Sequence, residues 1–372
     1  MVCFIKVLNG FLSIFTAVSA GVQAKKTNAG APYSANIIND TNVVHLDPQY
    51  FPKYHSERVK ISYGPYTAPS NTNNSGMWSY FDVNITMPCS DCVITWMRGG
   101  LEYPNGTYAN SNTGMWLHHV VIFNGGRAST TCGTSAGWLS RDRFFASGNE
   151  RTPVDLCVNG TQKAGYYLKS NDYLAMVVEL MNETPDPREA VVTITYEYIS
   201  SVPQTFKPVT SIWLDIDSNC TSNSEMPAMA NSSFEYSMEP PWTADFSGEI
   251  NLIWGHLHDG GTHLEVLKND NILSECVAAY GESPGYIEMA SDESMNMSMS
   301  MDMDMEMVHI SSITCNPKQS FLNIGDELSV QAFYNTTDYS PMLNSDGTLA
   351  PIMGISILYV ATSSEWFYYD EK

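Results

Sequence analysis

Phe81-Asp-Val83-Asn-Ile85-Thr86 and Val191-Val-Thr193-Ile-Thr195-Tyr196 alternate apolar with polar side chains, which is the period of a β-strand with one buried face. Further short β-rich runs lie at 174–180, 249–254, 328–334 and 355–360, between clusters of Gly, Pro, Asn and Asp. No segment keeps a 3.6-residue apolar period over three turns. The pattern therefore predicts an all-β protein of the sandwich, jelly-roll or barrel type.

The chain is long enough for two β-domains. A stretch with Pro203 and Pro208 reads as a linker at 201–211. We expect a first domain at 56–200 and a second at 212–362, preceded by an extended N-terminal arm at 25–55 and followed by a polar tail at 363–372.

Composition excludes one class of partner. The chain carries 40 acidic and 18 basic residues, a net charge of −22, and no block of Lys or Arg. Nucleic-acid binding depends on clustered positive charge, so it is excluded. Attraction to an anionic membrane surface is disfavoured for the same reason.

The first 24 residues predict export. Lys6 precedes the apolar run 11–18, and Val22-Gln-Ala24 ends the segment with small residues, as in a cleaved signal peptide. The tail lacks the hydrophobic end of a GPI signal. N-glycosylation sequons are dense, at Asn39, Asn73, Asn84, Asn105, Asn159, Asn182, Asn219, Asn231, Asn296 and Asn335. We expect a secreted, extracellular glycoprotein without a membrane anchor, and a monomer.

Seven cysteines follow the signal segment, so one of them is unpaired within the chain. Cys89-Ser-Asp-Cys92 could be a redox or zinc C-x-x-C, but without a second such motif, in an oxidising compartment, a local disulfide is favoured. We also expect disulfides Cys276–Cys315 and Cys132–Cys157. Cys220 would then be the odd thiol.

A low-complexity segment places Met at every second position from Met295 to Met307, inside an expected insertion at 289–308. If the segment is extended, its seven thioethers face one side. The segment could be a solvated loop or, because Met fills irregular gaps, part of a core. It could also capture a soft metal such as Cu(I), since thioethers prefer soft ions.

Two histidine clusters carry the clearest chemical signal. His256-Leu-His258 ends a predicted strand before the turn 259–261, so both imidazoles face the same way and could bind one metal ion. They could equally be two surface histidines. His118-His119 enters the apolar run 120–123, where adjacent residues point to opposite faces. A shared site there needs a bulge or a strand end.

These motifs resemble a known family. His118-His119 with Val120-Val-Ile-Phe123, the His256-Leu-His258 motif and the late strand Met353-Gly-Ile-Ser-Ile-Leu-Tyr359 are similar to the copper motifs of the copper type II, ascorbate-dependent monooxygenases. The likeness spans most of 75–362. Together with Gly255–Gly261 and Gly325-Asp326, the chain looks closer still to a fungal and plant group related to the stress-up-regulated nodulins. The resemblance implies two tandem antiparallel jelly-roll domains, each offering one copper site.

The resemblance implies a ligand set for each copper. His256, His258 and Met353 would form the second-domain site, although Met353 could also be an ordinary core residue. His118 and His119 would form the first-domain site, where the position of the family's third histidine holds Glu179. A carboxylate holds Cu(I) poorly, so either Glu179 binds copper with an altered potential or this site is vestigial. His263, just past the turn, is read as an outer neighbour of the metal or as exposed.

The leading expectation is a secreted, monooxygenase-like copper protein that hydroxylates or oxidises an extracellular small molecule, peptide or glycan, using O2 and an ascorbate-like reductant. One copper is expected and two are compatible with the motifs. The alternatives are a copper-buffering protein without turnover and a cell-wall glycoprotein with structural histidines.

Overall fold

The computed structural model of the chain describes residues 42–133, 137–218, 220, 224–287, 308–318 and 320–362. In the first half of the described residues the strands are β1 (Asn42–Leu46), β2 (Glu57–Ala68), β3 (Met77–Ile85), β4 (Cys92–Glu102), β5 (Met115–Ala128), β6 (Arg141–Ser147), β7 (Val154–Asp155), β8 (Ala164–Leu168), β9 (Leu174–Asn182) and β10 (Arg188–Ile199). In the second half they are β11 (Lys207–Asp215), β12 (Ser233–Ser237), β13 (Trp242–Thr243), β14 (Gly248–Leu257), β15 (Gly261–Lys268), β16 (Asn271–Tyr280), β17 (Ile310–Cys315), β18 (Phe321–Leu322), β19 (Glu327–Asn335) and β20 (Gly354–Ala361).

Helical structure within the described residues is confined to short 3-10 turns. They lie at Pro52–Tyr54, Asn74–Gly76, Ser111–Thr113, Gly137–Ser140 and Pro284–Tyr286. None of the described residues forms a helix long and apolar enough to cross a membrane. The prediction of an all-β protein is confirmed.

Three sheets form a β-sandwich-like fold. One sheet has the strand order β1-β2-β10-β4-β8-β11-β20-β14-β18, with β7 beside β4. The second has the order β3-β9-β5-β6, and the third β12-β19-β15-β16-β17, with β13 beside β19. Pairing is antiparallel except where β8 meets β11 in parallel, and this contact joins the first half of the chain to the second. The tandem jelly-roll arrangement stays a prediction.

β10 shows how the sequence produces the sheet. Its alternate residues Ala190, Val192, Ile194 and Tyr196 are fully buried, and the strand pairs with β2 on one side and β4 on the other. A strand with two partners and one apolar face satisfies its backbone in the ladder and its side chains in the core.

The strands β11 and β20 lie between two hydrophobic cores. On β20, Ile357 and Tyr359 belong to the core of the first half, and Leu358 and Val360 belong to the core of the second. A strand that is buried on both faces needs a continuous apolar run rather than alternation, and 357–360 is such a run. The residues predicted as a linker, 201–211, end inside β11 (Lys207–Asp215), so the two halves are joined through one continuous sheet.

The structure contains the disulfides Cys89–Cys92 and Cys276–Cys315, which are two of the three expected pairs. The predicted pair Cys132–Cys157 is wrong, because Cys132 is bonded to Cys220 and the buried Cys157 is the free thiol. The loop after β5 contacts the second half of the chain: the carbonyl oxygen of Thr130 accepts a hydrogen bond from Trp242 Nε1 at 3.1 Å. This contact brings Cys132 to Cys220 despite their 88-residue separation.

Several predicted segments lie outside the described residues. They are the signal segment 1–24, the methionine repeat 295–307 with nearly all of the insertion 289–308, and the tail 363–372. Of the N-terminal arm, 42–55 is described: β1 pairs with β2, and the backbone N–H groups of Gln49 and Tyr50 donate to the buried carboxylate of Glu197.

Candidate metal centre

A β-bulge places His118 and His119 at one site. The pairing of β5 with β9 shifts register between Leu117 and His119, so adjacent histidines do not end on opposite faces. Both imidazoles reach the same carboxylate oxygen: the Nδ1 atoms of His118 and His119 lie 3.2 and 2.7 Å from Glu179 Oε2. Two adjacent strand residues can share a site only with such a bulge or at a strand end.

The second motif lies at the end of β14. His256 pairs with Ile355 of β20, and His258 follows directly after the strand. The backbone N–H of His258 donates to the Met353 carbonyl oxygen at 3.2 Å, and Gly260, with φ of +94°, turns the chain away. The strand end therefore holds the two histidines two residues apart before the turn.

The two histidine motifs meet. His119 Nε2 lies 3.0 Å from His256 Nε2 and 3.0 Å from His258 Nε2. One ring nitrogen from each of His118, His119 and His258 falls within 4.8 Å of the others. The prediction that His118 and His119 form a cluster separate from His256 and His258 is wrong, because β5 and β14 approach each other across the two halves. We call these four residues the histidine cluster.

The hydrogen-bond partner of the Nδ1 atom fixes the tautomer of each ring. His119 Nδ1 faces Glu179, His256 Nδ1 lies 3.2 Å from Glu150 Oε1, and His258 Nδ1 lies 2.9 Å from the Pro351 carbonyl oxygen. A carboxylate and a carbonyl only accept hydrogen bonds, so each Nδ1 carries the proton. The Nε2 atoms of His119, His256 and His258 then all present lone pairs, with no proton between them.

Burial keeps the imidazoles of His119 and His258 neutral. It lowers the pKa of His119 to about 4, assisted by the neighbouring His118, and Glu179 only partly opposes the shift. Burial and the surrounding histidines also lower the pKa of His258 well below its usual value. Neutral, deprotonated nitrogens that face one another repel unless a cation lies between them. The donor set fits a metal that accepts imidazole, and copper is one such metal.

Two carboxylates orient the rings from outside. Hydrogen bonds from His118 and His119 hold the pKa of Glu179 well below its usual value although burial opposes this. The buried Glu150 behaves alike: its attraction to His256 and the N–H of Gly148 outweigh burial and lower its pKa. Such outer carboxylates fix the tautomer and orientation of metal-binding histidines. Glu179 thus acts here as an acceptor for two rings.

Sequence reasoning missed Glu150. The residue follows β6 in the turn Gly148-Asn-Glu150, where an acidic side chain is expected to face solvent. This turn packs closely against His256, since a Cβ at Gly148 would lie 2.7 Å from His256 Cε1. No local pattern in the sequence marks that contact.

The two methionines near the cluster occupy different places. Met353 is linked to His258 through its main chain, and its buried side chain belongs to the core of the first half. Met342 instead lines a cavity beside His118, His256 and His258. His263, which the sequence analysis placed near the metal or at the surface, stacks on Phe333 with ring centroids 4.3 Å apart.

A buried acid–histidine pair adjoins the cluster. His309 Nδ1 lies 2.6 Å from Asp259 Oδ2, and its ring packs on Trp116 with centroids 4.6 Å apart. Trp116 in turn contacts His118 edge to face. Both His309 and Asp259 line the same cavity as the cluster, so the pair belongs to its immediate surroundings.

Comparison with known proteins agrees with a copper site. No family model matches the chain. The probable copper-dependent oxygenase M1 of Phoma sp. is 35% identical over 314 residues, which are 84% of this chain and 75% of that protein. The probable copper-dependent oxygenase clz3 of Cochliobolus lunatus is 34% identical over 264 residues, 71% of this chain and 78% of that protein.

Among solved structures, PNGase F, a glycosylasparaginase from Flavobacterium meningosepticum, aligns with 87% of this chain and 97% of its own, at 10% identity and a TM-score of 0.34. That likeness is too slight to carry an argument about fold or function. The sequence identity to the two fungal proteins, over most of each chain, is decisive: this chain belongs to the family of the probable copper-dependent oxygenases.

Proposed function

We propose that this protein is a secreted copper-dependent monooxygenase that oxidises an extracellular substrate with O2 and electrons from a small reductant such as ascorbate. One observation carries the proposal: the unprotonated Nε2 atom of His119 lies 3.0 Å from the Nε2 atom of His256 and 3.0 Å from that of His258. Secretion is supported by three disulfides, which persist in oxidising compartments.

The geometry supports one copper centre shared by the two halves of the chain. His119 comes from β5, while His256 and His258 come from the end of β14, and His118 lies beside them. Copper bound there would supply one-electron redox chemistry and the activation of O2. The chain's own residues orient the ligands: Glu179, Glu150 and the Pro351 carbonyl each hold a ring by its Nδ1–H.

We further propose that the finer kinship is with the copper type II, ascorbate-dependent monooxygenases and their nodulin-related relatives. Glu179 departs from this kinship, since a histidine is expected at its position, and we propose that an imidazole from the other half of the chain takes that place. Glu179 then serves as the acceptor for His118 and His119.

Met353 remains the thioether ligand proposed from the sequence resemblance, and its carbonyl oxygen accepts a hydrogen bond from the His258 N–H. Met342 is the second candidate because it lines the cavity beside the histidine cluster. Thioethers stabilise Cu(I) more than Cu(II). Replacing the true ligand by Ala should therefore weaken Cu(I) retention more than Cu(II) retention, and the other substitution serves as the matched control. If both variants lost Cu(I) and Cu(II) to the same extent, neither methionine would be a copper ligand.

Metal analysis tests the shared centre. If one copper is shared, His119→Ala and His256→Ala should each abolish the same stoichiometric copper, whereas with two independent sites each variant would keep one. His263→Ala, whose ring stacks on Phe333, is the control and should bind copper normally. Ascorbate-driven O2 consumption by the loaded protein then separates an oxygenase from a copper-buffering protein, and failure of the wild type to bind copper would defeat both.

A further inference from the structure

The cavity beside the histidine cluster is too small for an organic substrate. Its volume is about 20 Å³, and a single water molecule already needs about 10–15 Å³. A substrate can therefore reach the cluster through this cavity only if part of the wall moves. The way the wall is built indicates which part that is.

One lining residue is set apart from the sheets. Every residue that lines the cavity, except Met342, lies in a strand or within three residues of a strand end. Met342 comes instead from the long connection 336–353 between β19 and β20, and it is half-buried. The side chain of methionine is unbranched and adapts easily to its surroundings. Met342 is thus the part of the wall that is least tied to the sheets.

Met342 begins a small hairpin, 342–350, that is hydrogen-bonded to itself. The N–H of Ala350 donates to the Met342 carbonyl oxygen at 2.8 Å, and the N–H of Asn344 donates to the Thr348 carbonyl oxygen at 2.8 Å. The side chains of Asn344 and Thr348 also bond within the hairpin. Among the described residues, no hydrogen bond joins 342–350 to another segment. The hairpin can therefore move without breaking hydrogen bonds to the sheets.

The chain is anchored on both sides of the hairpin. On one side Pro341 is buried, and Tyr339 stacks on Tyr280 with ring centroids 3.8 Å apart. On the other side the carbonyl oxygen of Pro351 lies 2.9 Å from His258 Nδ1. Proline has a fixed φ, so both ends of the hairpin are stiff. Motion of this part of the wall is thereby confined to 342–350.

We propose, resting on the proposed function, that Met342 determines which molecules reach the copper centre. The hairpin 342–350 moves away from the histidine cluster as one unit between its two proline ends, and Met342 leaves the cavity with it. With the hairpin in place, the cavity admits only molecules about as small as water or O2. Larger molecules enter when the hairpin moves, so the size of the side chain at position 342 sets the limit.

Chemical modification of the metal-free full-length protein tests this role without copper. Diethyl pyrocarbonate acylates unprotonated imidazole nitrogens and is much larger than water; His256 lines the cavity, and the exposed His45 is the internal reference. We expect Met342→Ala to raise the modification rate of His256 relative to His45 at least tenfold. Met342→Leu, of similar size, and Leu343→Ala, at an exposed position of the same hairpin, should stay within twofold of the wild type. An unchanged rate in folded Met342→Ala would overturn the proposal.

A disulfide within the hairpin distinguishes movement as one unit from local unfolding. Leu343 and Leu349 face each other between two hydrogen-bonded rungs, a spacing that suits a disulfide. When Leu343→Cys and Leu349→Cys are combined and oxidised, the modification rate of His256 should stay within twofold of the wild type. A tenfold fall would show that the hairpin must unfold to open the cavity, and the proposed movement would be wrong.

Selection by size is measured at the copper itself. Imidazole and 4-phenylimidazole offer the same donor atom but differ in size, and visible absorption of the Cu(II)-loaded protein reports the binding of each. We expect the wild type to prefer imidazole, and this preference to fall at least tenfold in Met342→Ala; an unchanged preference would contradict the role of Met342. A protein that binds no copper but shows the expected modification rates would refute the proposed function and leave the control of access by Met342 standing.

Discussion

Replacing Gly148 by Ala should disrupt the histidine cluster through a single methyl group. An added Cβ would lie 2.5 Å from Glu150 Oε2, 2.7 Å from His256 Cε1 and 2.9 Å from His256 Nδ1. Cβ contacts below 3.0 Å essentially never occur, and ordinary contact begins at 3.4 Å. His256 must therefore move by about 0.7 Å, the difference between 3.4 and 2.7 Å, and Glu150 must move with it.

The size of this shift sets the expected effect. Metal–ligand distances vary by only about 0.2 Å around their preferred values, so a ring displaced by several times that amount no longer binds well. Removing a group that orients a metal-binding histidine by a hydrogen bond lowers metal affinity about 10- to 100-fold. We expect Gly148→Ala to weaken copper binding by at least that factor, about 1.4–2.7 kcal/mol, with little change in secondary structure.

Competition with a copper chelator, on variants whose circular dichroism matches the wild type, measures the effect. Gly133→Ala is the matched control, because a Cβ at Gly133 has no atom within 4 Å. If Gly148→Ala binds copper within twofold of Gly133→Ala, the contact between this turn and His256 does not position a ligand, and the reasoning fails.

Three further expectations follow from the site and the core. Glu179→Ala should lower copper affinity about 10- to 100-fold, because the rings of His118 and His119 lose the acceptor of their Nδ1–H groups. Glu102→Ala, which removes the ion pair with Lys60, should leave copper affinity unchanged. Competition with a copper chelator compares the two variants. The free energy of unfolding of the metal-free protein should decrease as pH falls from 6.5 towards 4, since unfolded His119 takes up a proton and folded His119 does not. The part of the free energy of unfolding that His119 contributes, up to about 3 kcal/mol, should be absent when His119→Gln is unfolded with urea at the same pH values. Cys157 should react with a thiol reagent only after unfolding, because burial raises the pKa of its thiol; reaction in the folded protein would contradict this.

Local patterns predicted the elements of the site but not their assembly. Period-two alternation indicates strands because it depends on neighbours within one strand, and it correctly gave the all-β class. The His256-Leu-His258 spacing likewise has a local meaning, since both rings share one face. Whether β5 and β14 meet depends instead on how the sheets pack. Local patterns therefore predicted two separate groups of histidines where the structure has one.

Local patterns do not show which distant segments of the chain pack together, and for this reason the Cys132 partner and the role of the turn after β6 were not predicted. Cys132 and Cys157 are close in sequence, but the loop holding Cys132 packs against the second half of the chain, where Cys220 lies. Glu150 is buried against His256, 106 residues away. A buried carboxylate is costly unless it is paired, and its partner cannot be identified from the turn that carries it.

Glu179 shows why a carboxylate can replace the histidine that the family resemblance leads one to expect. His119 Nε2 already lies 3.0 Å from the Nε2 atoms of His256 and His258, whereas the Nδ1–H groups of His118 and His119 need an acceptor. Glu179 and Glu150 both have lowered pKa values and are ionised, so two negative charges adjoin the cluster. Buried charges persist only when they are compensated. A bound copper ion in its doubly charged state would balance these two carboxylates, while the neutral ligands and the buried surroundings also suit the singly charged ion. The outer carboxylates would thus favour the oxidised state.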